Sequence, residues 1–165
     1  MLNSLNIFYK KKILIYGLGK SGQSVLKFLK KDNEITTHDD KIKVNNKQIT
    51  KIKFDYIIIS PGIDINKCNL SNFLKNNSRK IYTDLDIFYN HHRENNKITI
   101  TGTNGKSTTA KILYDVLKDQ KVDVRLVGNI GNPILLEKKV TNRTVFVIEA
   151  SSYQLEYSKL FKSNI

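Results

Sequence analysis

Two glycine-rich segments in this chain have the residue types and spacing to bind phosphate. The later one reads Thr101-Gly102-Thr103-Asn104-Gly105-Lys106-Ser107. Its last three residues close the G-x-x-x-x-G-K-[ST] phosphate loop. In such a loop backbone N–H groups cradle the phosphates of ATP, the lysine reaches the β and γ phosphates, and the hydroxyl holds Mg²⁺. The strict pattern asks for glycine where Ile100 stands. The context is nevertheless the required one, an apolar strand before the loop and an amphipathic helix after it.

The earlier segment, Gly17-Leu18-Gly19-Lys20-Ser21-Gly22, matches G-x-G-x-x-G between a predicted strand and a predicted helix. The first glycine permits a tight turn, the second lets a diphosphate approach the backbone, and the third allows close helix–strand packing. The helix N-terminus attracts the anion. Asp39 follows at the end of the next predicted strand, where a dinucleotide fold keeps its ribose-binding acid. Alone, this loop suits the NAD-binding domain of an oxidoreductase, or any nucleotide carrying a diphosphate. A dehydrogenase has no use for the second loop, and an ordinary phosphate-loop ATPase has none for the first.

The elements that must hold these loops alternate. Strands are predicted over 12–16, 34–38, 55–60, 80–82, 97–101, 122–127 and 144–148, and helices over 21–31, 70–75, 84–91 and 106–118. Apolar runs such as Tyr56-Ile57-Ile58-Ile59 read as fully buried strands. Strand–helix alternation predicts parallel α/β sheets. The polar break Glu94-Asn95-Asn96 divides the chain into a Rossmann-like domain, 1–94, and the beginning of a phosphate-loop ATPase domain, 95–165.

The net charge of +13 comes from 28 Lys and Arg against 15 Asp and Glu. The lysines are scattered (Lys10 to Lys12, Lys41, Lys51, Lys53, Lys138, Lys139) and no aromatic residues interleave with them. A nucleic-acid partner is therefore not expected, though general steering of phosphate-bearing ligands is. The one cysteine, Cys68, forms no disulfide or metal pattern. The opening residues Met1 to Phe8 lack the charged and apolar regions of a signal peptide, and no stretch approaches the ~18 apolar residues of a membrane span. A cytoplasmic location without membrane insertion is expected.

Three further segments join the two loops in a recognisable order, Ser60-Pro61-Gly62-Ile63, Gly128-Asn129-Ile130-Gly131-Asn132-Pro133 and Glu149-Ala150-Ser151-Ser152-Tyr153-Gln154-Leu155-Glu156, and Thr108 completes the phosphate loop. Together, from about Lys12 to Glu156, they resemble the Mur ligases of peptidoglycan synthesis, and within that family the branch that adds D-glutamate. The resemblance implies a ligase that forms an acyl phosphate on UDP-N-acetylmuramoyl-L-alanine with ATP and Mg²⁺, and then joins D-glutamate to it. It also implies roles in cell shape and division, and a monomer. Gly102, Thr103, Asn104, Gly105, Lys106, Ser107 and Thr108 resemble the ATP loop, with Lys106 and Glu149 as catalytic groups and Ser107 and Glu149 as metal ligands. Gly19, Lys20, Ser21, Gly22, Asp39, Asp40, Lys41, Gly62, Asn129, Ser151 and Gln154 resemble residues that bind the UDP-linked substrate. Asp40 departs from the small hydroxyl residue the family favours.

Other residues are assigned no chemistry. His91 and His92 are adjacent, so on a helix they diverge and read as surface residues at a helix end. Cys68 reads as a structural or exposed thiol, Tyr153 as packing as readily as stacking. Ser151-Ser152 has no histidine base at a recognisable spacing. The family's downstream histidine, its modified lysine and its third domain have no counterpart before Ile165. The chain alone is therefore expected not to complete the ligation, and its second sheet is expected to leave an open edge and an uncovered apolar face.

Overall fold

The computed structural model describes residues 6–42 and 46–165, with no side chains described at 46 and 47. Met1 to Leu5, on which the absence of a signal peptide partly rests, lie outside the described residues. The first sheet takes β1 (Lys12–Tyr16), β2 (Glu34–His38), β3 (Tyr56–Ile59) and β4 (Ile81–Tyr82) in the order β2-β1-β3-β4, all parallel. The second takes β5 (Asn96–Ile100), β6 (Val124–Gly128) and β7 (Val145–Glu149) in the order β5-β7-β6, also parallel. Both sheets are of the kind that strand–helix alternation predicts. Ile13, Leu14, Ile15 and Tyr16 of β1 are all fully buried, because a parallel strand is covered on both faces.

The helices are α1 (Lys20–Leu29), α2 (Asn46–Ile49), α3 (Ser71–Asn76), α4 (Asp84–His91), α5 (Lys106–Asp119) and α6 (Ser152–Tyr157). Several boundaries differ from the expected ones. Helix α1 stops at Leu29, where Lys30 caps it through an N–H bond to the Leu26 carbonyl. Strand β5 starts at Asn96, inside the polar break, and β6 starts only at Val124, after a turn that holds Lys121 at positive φ. Helices α2 and α6 have no counterpart in the sequence reading.

One apolar cluster runs through both sheets. It joins Ile13, Ile15 and Ile58 to Leu85 and Phe88 of α4 and to Val127, Phe146 and Ile148. Phe88 meets Phe146 edge-on at 4.8 Å, and His92 lies against both rings. His91 meets Phe28 edge-on at 4.9 Å. The two histidines therefore diverge as expected, but His92 is half-buried packing and not a surface residue. Burial pushes both imidazoles below their usual pKa.

A polar joint accompanies this packing. Thr83 and Asp86 form a capping box at the start of α4. The Asp86 carboxylate, with no exposure, accepts N–H bonds from Thr83 at 2.9 Å, Lys159 at 2.8 Å, Leu160 at 2.7 Å and Phe161 at 3.2 Å. Beside it the Thr83 and Ser158 hydroxyls lie 2.6 Å apart.

On α5 the four apolar residues divide. Leu113 and Leu117 pack on the second sheet, whereas Ile112 and Val116 are 58% and 54% exposed on the opposite side of the helix. The outer edge of β5 is a correction. It is not wholly open: Thr99 donates its N–H to the Ile165 carbonyl, and Asn164 donates to the Lys97 carbonyl.

Asp86→Ala should leave four backbone N–H donors without their acceptor at once. Urea unfolding of the variant should show a loss of more than about 3 kcal/mol, above the range of an ordinary substitution; a loss under about 1 kcal/mol would mean the joint does not hold the fold.

Candidate functional site

In a parallel sheet of order β2-β1-β3 the connections leave β1 and β3 in opposite directions, and a crevice opens at the carboxyl ends of the strands. A cleft of about 520 Å³ lies there, lined by Gly17, Gly19, Lys20 and Ser21 after β1, Asp39, Asp40 and Lys41 after β2, and Ser60 to Ile63 after β3. Gly128, Asn129, Gly131 and Pro133, from the loop after β6, form its other wall.

The first glycine loop is built by its neighbours. Gly17 takes φ +92° and donates its N–H to the His38 carbonyl at 2.8 Å. Its own carbonyl accepts from the Ser60 hydroxyl at 2.7 Å. A Cβ on Gly22 would lie 1.8 Å from the Gly17 carbonyl oxygen, so the third glycine serves helix–strand packing and does not line the cleft. A Cβ on Gly19 or Gly62 would meet nothing within 4 Å. These two leave bare backbone facing open space, which a diphosphate needs.

Asp39 and Asp40 are committed to the chain itself. The two oxygens of Asp39 accept the N–H groups of Leu18 at 2.7 Å and Lys41 at 2.9 Å. These bonds hold its carboxyl below the usual carboxylate range. A ribose-binding acid of the dinucleotide type would have its oxygens turned to the ligand. Asp40 accepts from the Tyr16 hydroxyl at 2.5 Å and from the Asn69 N–H at 3.2 Å. The His38 imidazole, buried under the cleft, sits 3.3 Å from the same carboxylate. Asp40 thus ties β1 and β2 to the loop that carries Cys68 and Asn69. Burial, and then the Asp40 contact, push the Tyr16 hydroxyl well above its usual pKa.

The second glycine loop leaves β5 at Ile100 and enters α5 at Lys106. Gly102 at φ +146° and Gly105 at φ +77° occupy backbone that L side chains rarely adopt. Residues 101–105 are exposed, as are Ser107 and Thr108. The Lys106 ammonium folds back onto the Gly102 carbonyl at 2.6 Å, so the cation already lies over the loop.

Strand β7 lies between β5 and β6, and the register sets Glu149 level with Ile100 on one side and Gly128 on the other. Glu149 is 4% exposed, and its Oε2 has no hydrogen-bond partner. A buried carboxylate oxygen without a partner beside a phosphate loop fits a divalent cation. Among the described residues no cluster of three or more His, Cys, Asp or Glu could hold a metal. The remaining ligands would be phosphate oxygens, a loop hydroxyl such as Ser107, and water, the usual setting of Mg²⁺. Backbone also links the two loops: the Asn129 N–H donates to the Glu149 carbonyl at 3.0 Å, and a Cβ on Gly128 would lie 2.2 Å from that oxygen.

The expected site residues therefore divide. Gly19, Lys20, Ser21, Asp39, Asp40, Lys41, Gly62 and Asn129 meet at one cleft. Ser151 and Gln154 do not line it. Gln154 is 2% exposed, and its side chain is spent inside the protein. With Ser151 it forms the capping box of α6, and its Nε2 donates to Asp84 at 3.0 Å. Sequence reasoning named the segments at 60–63 and 128–133 but passed over Ser60, Gly131 and Pro133 as lining residues. The crevice rule for strand ends, applied to β3 and β6, would have found them.

A family profile described as the Mur ligase middle domain matches residues 100–164. UDP-N-acetylmuramoylalanine--D-glutamate ligase of Rickettsia bellii is 34% identical over 98% of this chain and 38% of its own length. The enzyme of the same name from Caldicellulosiruptor saccharolyticus is 33% identical over 93% of this chain and 39% of its own, and that from Francisella tularensis subsp. novicida 36% over 88% and 35%. The chain thus spans less than two thirds of the length of these curated relatives. Among solved structures, UDP-N-acetylmuramate:L-alanyl-gamma-D-glutamyl-meso-diaminopimelate ligase from Neisseria meningitides is similar over 85% of this chain and 52% of its own, at 16% identity and a TM-score of 0.48.

A carboxyl whose pKa is lowered by folding contributes stability above its ordinary pKa and loses it as pH falls through the folded value. The Asp39 grip on Leu18 and Lys41 should therefore survive down to below the ordinary carboxylate range. Amide chemical shifts of Leu18 and Lys41 followed by NMR during an acid titration should give a midpoint below that range. A midpoint at or above it would show that the two bonds do not form in solution.

Proposed function

The chain belongs to the Mur ligase family, and on that premise we propose that it carries the UDP-substrate cleft and the ATP loop of a ligase that joins D-glutamate to UDP-N-acetylmuramoyl-L-alanine in peptidoglycan synthesis. The reading divides the chain into a substrate-binding unit, 1–94, and part of an ATP-binding unit, 95–165. The observation that carries it is the place of Glu149, on a strand flanked by the strand that leads into the phosphate loop and the strand that leads into the cleft wall.

The chemistry follows from what such a substrate needs. A carboxylate is a poor acyl donor. Its oxygen attacks the γ-phosphorus of ATP, ADP leaves, and the resulting acyl phosphate has a good leaving group. The amine of the amino acid then attacks the carbonyl carbon, phosphate departs, and the nitrogen loses its proton. Positioning and charge neutralisation do most of the work in phosphoryl transfer. Lys106 and the N–H groups of 102–108 would hold the ATP phosphates; Glu149 and Ser107 would hold Mg²⁺, which would draw charge off them. Gly19, Lys20 and Ser21 receive the diphosphate at the N-terminus of α1, with Gly62 across the cleft and Asn129 on the opposite wall. Asp39, Asp40 and Lys41 shape the nucleoside end. Asp39 and Asp40 act there through the loops they brace, because their oxygens are already bonded. Gln154 is withdrawn from substrate contact for the same reason. The cytoplasm is where such nucleotide substrates occur, and no described helix is long and apolar enough to cross a membrane.

Calorimetry on the 165-residue chain tests this reading. UDP-N-acetylmuramoyl-L-alanine should bind, and Lys20→Glu should weaken it at least about tenfold, ~1.4 kcal/mol. ATP with Mg²⁺ should bind independently, and Lys106→Ala should weaken that by at least the same factor. If NADH binds in the cleft and the UDP compound does not, the reading is wrong.

A further inference from the structure

Asp84 stands at the first position of α4, is 3% exposed, and touches neither the cleft nor the phosphate loop. Its oxygen Oδ1 accepts the Nε2–H of Gln154 at 3.0 Å. The other end of that amide faces Ser151: Gln154 Oε1 accepts the Ser151 N–H at 3.1 Å, and the Ser151 hydroxyl accepts the Gln154 N–H at 3.2 Å. The preceding residue, Ala150, donates its N–H to the Ile100 carbonyl at 3.1 Å, the last residue before the phosphate loop. The residue before that is Glu149. The chain leaving Glu149 is therefore pinned at each step, first to β5, then to Gln154, and through Gln154 to a carboxylate on α4.

A buried carboxylate is a costly way to gain stability. Desolvation pushes the Asp84 carboxyl above its usual pKa, and apolar residues of similar volume often serve the fold as well or better. What an acceptor at position 84 does, and an apolar residue cannot, is fix which end of the Gln154 amide faces Ser151. With Nε2 drawn to Asp84, Oε1 must face the Ser151 N–H. With the amide reversed, two donors would meet there and the turn after Glu149 would lose its cap.

We propose that Asp84 is a positioning residue for the metal-binding carboxylate: through Gln154 it fixes the Ala150–Ser151 turn, and with it the direction in which Glu149 Oε2 meets the cation at the phosphate loop. The proposal rests on the ligase reading above, and within it links the two units. Asp84 stands before the boundary, on a helix that Asp86 clamps to residues 159–161, while the carboxylate it orients stands after it.

The test compares ATP binding with and without Mg²⁺, and UDP-N-acetylmuramoyl-L-alanine binding, in the 165-residue chain and two variants. Asp84→Leu removes the acceptor and puts a larger apolar side chain in its place. Asp84→Asn keeps an acceptor oxygen and removes the charge. Groups that orient a metal ligand typically change metal affinity by 10- to 100-fold. Asp84→Leu should therefore reduce the Mg²⁺ enhancement of ATP binding by about tenfold. Metal-free ATP and the UDP compound should stay within about twofold of native, well below that effect, and Asp84→Asn should restore the Mg²⁺ enhancement. The proposal fails if Asp84→Leu keeps the native Mg²⁺ effect, or if all three affinities fall in proportion, which is what a merely structural residue would give. Should Asp84→Leu lose its cooperative melting, Gln154→Met cuts the same link from the other side, and a folded Gln154→Met with native Mg²⁺ dependence overturns the proposal. If the native chain shows no Mg²⁺-dependent ATP binding, the ligase reading falls and the proposal with it, an outcome distinct from a failure confined to the variants.

Discussion

Four backbone N–H groups from two distant parts of the chain converge on one carboxylate that water does not reach, that of Asp86. An ionised acid is expensive to bury, and it is tolerated only where enough donors surround it. The capping box of α4 supplies one donor, and the bend at 159–161 supplies three. Helix α4 is thereby joined to the chain that follows α6, while its apolar face joins the cores beneath both sheets through Phe88 and Leu85. The relation between the sheets, and so the composition of the cleft from loops of both, depends on this joint. Were α4 free to shift, the wall carrying Gly128 to Pro133 would shift relative to the loop carrying Gly17 to Ser21.

The second constraint is register. In a parallel sheet the strand ends face one way, so the loops that follow β5, β6 and β7 emerge side by side. With β7 in the centre, the residue at its end is adjacent to both the phosphate loop and the cleft wall. That residue is Glu149, whose carbonyl holds Asn129 and whose carboxylate keeps an oxygen unpartnered. The glycine at 128 follows from the same crowding, because no Cβ fits above the Glu149 carbonyl.

Much of this was legible in the sequence, for physical reasons. The glycine patterns declare themselves because positive φ and close approach demand glycine wherever they occur. The buried strands declare themselves because parallel sheets need continuous apolar runs. Helix α6 was not recognised, although Ser151 and Gln154 form the S-x-x-Q signature of a capping box. The same polar residues also suit a ligand contact, and only burial distinguishes the two uses. The strand order that places β7 between β5 and β6 depends on pairings between distant segments, which local pattern does not encode. The division of α5 into a packed side, Leu113 and Leu117, and an exposed side, Ile112 and Val116, likewise depends on what lies opposite each face.

The charge balance acquires a structural meaning once the acids are placed. Asp84, Asp86 and Glu149 are buried, and Asp39 and Asp40 are bonded to N–H groups and a phenol around the cleft. Asp123, half-buried, is held below the usual carboxylate range first by the Thr144 hydroxyl and then by Arg125. Of these six acids, five serve as internal hydrogen-bond acceptors, and Glu149 alone keeps a buried carboxylate oxygen without a partner. The excess of +13 is set by composition, 28 basic residues against 15 acidic, and it does not require a basic patch for a polyanion. Its functional effect is on ligands that carry their own negative charge. On the proposed reading, a nucleotide approaching either glycine loop would meet a positive field from scattered lysines before it met Lys20 or Lys106. On that reading the field would hasten the encounter, and the bare backbone of the loops would supply the contacts that hold the phosphates.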